Sequence, residues 1–296
     1  MTDTKPVELE VRKIPFEFDS DIDVHWIPRE PELSSMMNGG SLVMPYLEPF
    51  LMRTMREAKN QVSDPRLLQE ISDFIGQEGQ HYQVHNRFNQ ILKEKRYPEL
   101  AELEQEMAES YRSLGKRPLR IRMAYTAGFE AMTMGVTKWI IGRRVQLFAG
   151  ADPRVTSFVL WHMVEETEHK RVAHDAYLAL YGNGLKAYLA RARGVFHGSF
   201  DVIKFTMRGY KVMLKKDGLW SQFRSRMRLA ARLSAFVWHA GPFLFRAALP
   251  WHDPRSEKDL EWVTQWLNGY DANAAEPPLV DTNHPQMPVP FTTAKA

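Results

Sequence analysis

Apolar residues recur at helical spacing through most of the chain. Between residues 65 and 94, Leu67, Leu68, Ile71, Phe74, Ile75, Tyr82 and Phe88 follow a 3.6-residue repeat, with Asp64 placed to cap the first turn. The spacing predicts a helix there. It predicts three more: about 43–61, beginning near Pro45 and tolerating Pro49 in its early turns, about 119–148, and about 154–181. Residues 95–117 form a long connection with a helical pattern of its own, LAELEQEMAESYRSL. Two helical hairpins joined by one long crossover is the connectivity of a ferritin-like four-helix bundle, so the expected class is all-α.

The pattern changes outside these helices. Residues 1–40 carry Pro6, Pro15, Pro28, Pro31 and a short, roughly alternating run from Val7 to Phe18, which predicts an extended arm wrapping the domain. Residues 183–270 predict three further helices packed on the bundle of 41–182, the first two rich in aromatic and basic residues. The tail, 271–296, contains Pro277, Pro278, Pro285, Pro288 and Pro290 and reads as a flexible or wrapping extension.

Composition narrows the chemistry. With 296 residues, 44% apolar and 25% charged, the chain can form one large domain with long appendages. It has no cysteine, which excludes disulfides, thiolate nucleophiles, zinc fingers and iron–sulfur clusters. Any metal must be held by oxygen and nitrogen. Residues Met1 to Pro15 are polar and lack the apolar run of a secretory signal, so a cytoplasmic protein is expected. The apolar stretch Leu233–Phe245 is too short to span a bilayer and is bracketed by Arg232 and Arg246. Net charge is only +3, yet between Lys186 and Arg246 many basic residues face only Asp201 and Asp217. Beside the aromatics of this region, such charge suits peripheral contact with an anionic membrane. No nucleic-acid-binding motif accompanies it.

Two segments carry candidate chemistry. Glu78-Gly79-Gln80-His81 and Glu166-Thr167-Glu168-His169 are each Glu-x-x-His, and positions three apart share one helix face. Alone, either would be an ordinary solvated pair. The first helix of each hairpin, however, also places a glutamate among apolar residues: Glu48 in MPYLEPFLM and Glu130 in YTAGFEAMTMGV. Burying a bare carboxylate costs several kcal/mol unless a cation or strong hydrogen bond compensates. One Glu from each of two helices plus Glu-x-x-His from each of the other two is the ligand set of ferritin-like two-metal carboxylate proteins. Four carboxylates and two neutral imidazoles match the charge of two divalent cations. Iron suits the set best, with manganese or zinc as alternatives. Imidazoles bound to metal give their other N–H to an acceptor, which predicts Glu165 behind His81 and Gln77 behind His169. His162, four residues before Glu166, points from the same stripe and is expected as a seventh ligand, while His85 is expected to support the ligands from behind.

These residues resemble a known family, the bacterial proteins usually labelled predicted metal-dependent hydrolases, which look ferritin-like. The resemblance covers roughly residues 8–255, through VRKIPFEF, HWIP, LEPF, QEGQHYQVHN, FEAMT, WHMVEETEHKRVAHDAY and PWHDP. Sequences of this kind commonly carry a Gly-Glu-Arg-Phe-like segment where this chain has Leu47-Glu48-Pro49-Phe50. The spacing His162-x-x-x-Glu166-x-x-His169 is similar in that one motif to the di-iron arylamine N-oxygenases. The family label implies hydrolysis. A glutamate-rich set on four helices fits oxygen chemistry better than the Asp- and His-rich loops of most two-metal hydrolases. The expectation is therefore a di-iron oxygenase or oxidase acting on a small hydrophobic or acyl-type substrate, with O2 and an electron donor as partners. A two-metal hydrolase is the alternative, followed by a non-catalytic metal-binding protein.

Overall fold

The computed structural model describes residues 9–19, 21–274 and 276–291. The first eight residues of the predicted arm lie outside them. The described residues form eleven α-helices and one short 3-10 turn, with no strand, so the molecule is all-α.

In chain order the helices are α1 (Pro31–Ser41), α2 (Met44–Lys59), α3 (Pro65–Lys95), α4 (Leu100–Gly115), α5 (Leu119–Gly142) and α6 (Arg144–Phe148). There follow α7 (Pro153–His169), α8 (Val172–Tyr181), α9 (Leu185–Lys216), α10 (Phe223–Ala247) and α11 (Glu261–Gly269). Asp64 caps α3 by accepting from the Arg66 amide at 2.9 Å, and Asp152 caps α7 by accepting from the Arg154 amide at 2.8 Å. Both helices also begin on a proline, whose missing N–H costs nothing in a first turn.

Packing places α5 at the centre. It is buried on nearly every face, as a helix apolar all round must be. α2 and the α7–α8 pair cover one side of it, and α9 and α10 cover the other. α2 also packs along α3, and α3 meets α7 and α8, so α2, α3, α5 and α7 enclose a common interior. Among the described residues no helix is long and apolar enough to cross a membrane.

Several boundaries differ from the sequence expectation. The arm is extended only to about residue 30: Pro31 opens α1, acting as a first-turn residue rather than a breaker. The helix expected over 119–148 ends at Gly142, where Arg143 leaves helical geometry (φ −115°, ψ 17°), and a separate short α6 follows. The helix expected over 154–181 is interrupted at Lys170 and Arg171, directly after His169. The tail is wrapped rather than loose along its described length. The Val280 amide donates to Ser157 Oγ (2.8 Å), the Gly150 amide to the Thr282 carbonyl (2.9 Å), and Trp262 Nε1 to the Met287 carbonyl (3.1 Å).

The extended arm runs over α3 and α7 with period two. Arg12, Ile14 and Phe16 are buried while Lys13, Pro15 and Glu17 are exposed, and Phe16 packs on Trp161 with ring centroids 5.4 Å apart.

Candidate metal centre

Glu48 comes from α2, Glu78 and His81 from α3, Glu130 from α5, and His162, Glu166 and His169 from α7; all are buried. Their donor atoms converge. His169 Nδ1 lies 3.1 Å from Glu78 Oε1, 3.7 Å from Glu166 Oε2 and 3.9 Å from Glu130 Oε2. Atoms within 4.8 Å of one another group Glu78, Glu166 and His169, and separately Glu48, Glu78 and His81. Two further groupings, Glu48–His85–His162 and His81–His162–Glu166, bring in the remaining imidazoles. Glu48, Glu78 and Glu166 each belong to two groupings, so the groupings join into one continuous cluster.

Hydrogen bonding leaves most of these atoms without a partner. Both oxygens of Glu48, Glu78 and Glu130, Oε2 of Glu166, and Nδ1 of His81 and His169 are buried without a hydrogen-bond partner. Each such atom costs about 1–3 kcal/mol if nothing satisfies it. Unpartnered oxygens and imidazole nitrogens facing one another are a donor set for cations, and the residues present fit two divalent ions.

The electrostatics agree. Burial first, and then the neighbouring carboxylates, push the pKa values of Glu48, Glu78 and Glu130 well above the ordinary carboxylate range. Burial raises Glu166 too, but the 2.8 Å contact with His162 and the His169 and His162 rings beside it outweigh burial and hold Glu166 low. Burial lowers His81, His85 and His169, keeping the imidazoles neutral and their lone pairs available.

Contacts behind the ligands fix the tautomers. Gln77 Nε2 donates to the Glu10 carbonyl (2.8 Å) and to Glu168 Oε2 (2.9 Å), which turns its Oε1 toward His169 Nε2 at 2.8 Å. His169 therefore carries its proton on Nε2 and presents a bare Nδ1 to the site. His81 Nε2 lies 2.9 Å from Glu165 Oε2 and likewise leaves Nδ1 bare. A second chain runs from α1. Asn89 Nδ2 donates to the Ser41 carbonyl, so its Oδ1 accepts from Ser41 Oγ at 2.7 Å. Ser41 Oγ then accepts from His85 Nδ1 (2.8 Å), and His85 Nε2 accepts from His162 Nδ1 (2.8 Å). This order leaves a lone pair on His162 Nε2 facing Glu166 Oε1 at 2.8 Å, a pair of acceptors that only a proton or a cation reconciles.

The sequence reading missed four of these groups. Arg12 of the arm is buried and pairs with Glu168 at 2.6 Å and Glu165 at 3.2 Å, placing one positive charge between the two carboxylates behind the imidazoles, although burial still pushes the Glu165 carboxyl well above the ordinary range. Its signal was available, since Arg12 occupies the inward register of the alternating run that holds Ile14 and Phe16. Glu168, Ser41 and Asn89 carry no sequence pattern that sets them apart from ordinary polar helix residues. His174 turns away from the site and lies near Arg191 and His252.

An apolar cavity of about 210 Å³ opens beside the centre. His85, His162 and Glu166 form its inner end, and Phe129, Met132 and Trp139 part of its wall.

Residues 10–258 match the family described as predicted metal-dependent hydrolase. The chain belongs to that family. No curated protein and no solved structure matches it. Membership corrects the expectation of a di-iron oxygenase or oxidase: the family's described chemistry is hydrolysis, the alternative weighed against it. O2 and an electron donor, which served only the oxygenase reading, have no part in the function proposed below. The preference for oxygen chemistry rested on helix-borne glutamates, and that placement sets donor type and geometry without dictating the reaction.

Proposed function

We propose that the protein is a two-metal hydrolase, its ions held by Glu48, Glu78, His81, Glu130, Glu166 and His169, with His162 as a further ligand through Nε2. α2, α3, α5 and the α7–α8 pair would then form a ferritin-like four-helix bundle around the centre. The observation that carries the reading is the convergence of unpartnered, buried carboxylate and imidazole atoms from four helices in a member of a metal-dependent hydrolase family. The donor set is rich in hard oxygen with some imidazole, which suits iron or manganese and also accommodates zinc.

When bound, such ions supply Lewis-acid activation of water and of the bond to be cleaved. The protein does the rest. Glu165 and Gln77 hold the His81 and His169 rings with Nδ1 inward. Arg12 sets one positive charge between Glu165 and Glu168 behind them and so holds both side chains in place against the imidazole rings. His162 lines the cavity, and the chain through His85, Ser41 and Asn89 steadies its ring with Nε2 turned toward the ions. The apolar walls keep bulk water from the inner end.

Testing this needs metal-free protein reloaded with Fe(II), Mn(II) or Zn(II), each assayed on chromogenic esters and phosphoesters. Chelator-sensitive turnover with about two ions bound per chain is expected. Turnover that persists after metal is stripped, or a chain that retains no divalent ion, would overturn the assignment.

A further inference from the structure

α9 and α10 carry apolar stripes that no described residue covers. On α9, Leu185, Leu189, Phe196, Phe200 and Ile203 are exposed and fall within about 60° of one another around the helix axis. On α10, Phe223, Met227, Val237, Trp238 and Phe245 are exposed within about 100°. Trp238 is 79% exposed and Phe200 64%. Side chains this large, aligned on adjacent helices, mark a contact surface.

The charges beside the α9 stripe identify the contact. Lys186, Arg193, Lys204 and Lys211 lie along one flank of it, about 20–40° beyond its edge. None of the four forms an ion pair with a described residue, although Arg208 and Lys216 of the same helix pair with Glu106 and Glu99. A second copy of the chain would set this cationic flank against its like. An anionic bilayer instead offers acyl depth to the aromatics and headgroups to the lysines.

The cavity opens in the same surface. Its outer end is formed by Val202, Ile203 and Met207 of α9 with Leu233 and Phe236 of α10, and Ile203 belongs both to that opening and to the exposed stripe. We infer that the α9–α10 face docks on an anionic lipid bilayer and that the cavity draws in the aliphatic chain of an amphiphile from it. The chain's polar end then reaches Glu166 and His162, and its role as substrate there rests on the hydrolase reading.

Two measurements on metal-free, full-length protein test this. In co-sedimentation with vesicles of equal parts phosphatidylcholine and phosphatidylglycerol, binding is expected at low salt. It should fall at least about tenfold in the Lys204→Glu, Lys211→Glu double variant and in Phe200→Asp. These are surface positions, and unchanged circular dichroism verifies the fold. Absent binding, or equal binding to pure phosphatidylcholine, overturns the docking. So does a dimer of the free protein that Phe200→Asp disperses, since the face would then join two copies. In calorimetry without vesicles, n-octanol should bind, and Val136→Phe, which narrows the cavity, should weaken it at least about tenfold while leaving vesicle binding intact. No octanol binding, or binding indifferent to Val136→Phe, overturns the cavity assignment. Neither measurement uses metal or turnover, so their failure and that of the hydrolase assay are separate results.

Discussion

Glu130 sits in the middle of α5, a helix buried on nearly every face, where its carboxylate has no hydrogen-bond partner. Without metal its raised pKa has a definite consequence. A folded-state pKa above the ordinary 4.5 gives stability that is complete below about pH 4.5 and is lost as pH rises toward the folded value. Glu130→Gln imitates the protonated acid. In metal-free protein the mutant should therefore melt with wild type at low pH and increasingly above it as pH climbs from about 4.5. The lowered pKa values of His81, His85 and His169 act oppositely, with stability complete above 6.5 and lost as pH falls, but they are common to both proteins and cancel in the comparison. With metal restored the order should reverse, because the mutant lacks a ligand oxygen. A melting difference that ignores both pH and metal would remove Glu130 from the site. Arg12 gives a second residue-scale expectation. Arg12→Ala leaves Glu165 and Glu168 buried without their cation, at a cost of about 3–5 kcal/mol in denaturant titrations. Adding Glu168→Gln should recover part of that loss, whereas no recovery would mean that Arg12 acts only by packing. The inward carboxylates and imidazoles were legible because chemistry repeats in sequence, as two Glu-x-x-His segments and two glutamates in apolar runs. For Arg12 only the inward register was legible; its partners were not, since they lie more than 150 positions away.

The long helices of the bundle were legible, whereas α1, read as part of the extended arm, and the helix endings were not. Long 3.6-residue periodicity located α2, α3, α5 and α7–α8 because those helices bury a continuous face. The breaks after Gly142 and His169 interrupt runs whose apolar spacing continues across them, so no change of pattern announces them. The close approach of α5 to α9 was equally silent. It depends on Gly128 and Gly194, where the two backbones nearly touch: a Cβ at Gly194 would lie 1.9 Å from the Ala124 carbonyl oxygen, and one at Gly128 would lie 2.2 Å from Val195 N. Gly194→Ala must therefore push α9 off α5. The expected cost is about 1–3 kcal/mol, or more if the helices cannot separate locally, read as a lower denaturation midpoint. A neutral Gly194→Ala would mean that the seam is looser than its geometry implies.

At the scale of the molecule, the arm and the tail hold the helices around the centre; the sequence read the arm as wrapping and left the tail as either flexible or wrapping. Its alternating run marked the N-terminal arm as a wrapping segment. The C-terminal tail, broken by prolines, offers no period, and the bonds that hold it use backbone carbonyls that any sequence supplies. Those bonds land on α7 and its approach, through Ser157, Ala151 and Gly150, and on the α5–α6 junction, where Arg144 donates to the Met287 and Gln286 carbonyls. Met287, at 0% exposure, and Val280 fill space between α7 and α11 that would otherwise open to water. Ending the chain after residue 275 removes these contacts and leaves Trp262 without the acceptor of its indole N–H. Burying side chains such as Met287 and Val280 contributes about 1.5–3 kcal/mol each. The truncated protein should therefore melt several degrees lower, by roughly 2–4 °C for each kcal/mol lost in a chain of this size. The candidate ligands of α7, His162, Glu166 and His169, lie toward its other end from Ser157, and the remaining candidates lie on α2, α3 and α5, so the number of ions bound at low temperature should not change. If truncation abolished metal binding while helix content stayed intact, the tail would be holding the ligands directly instead of the scaffold around them.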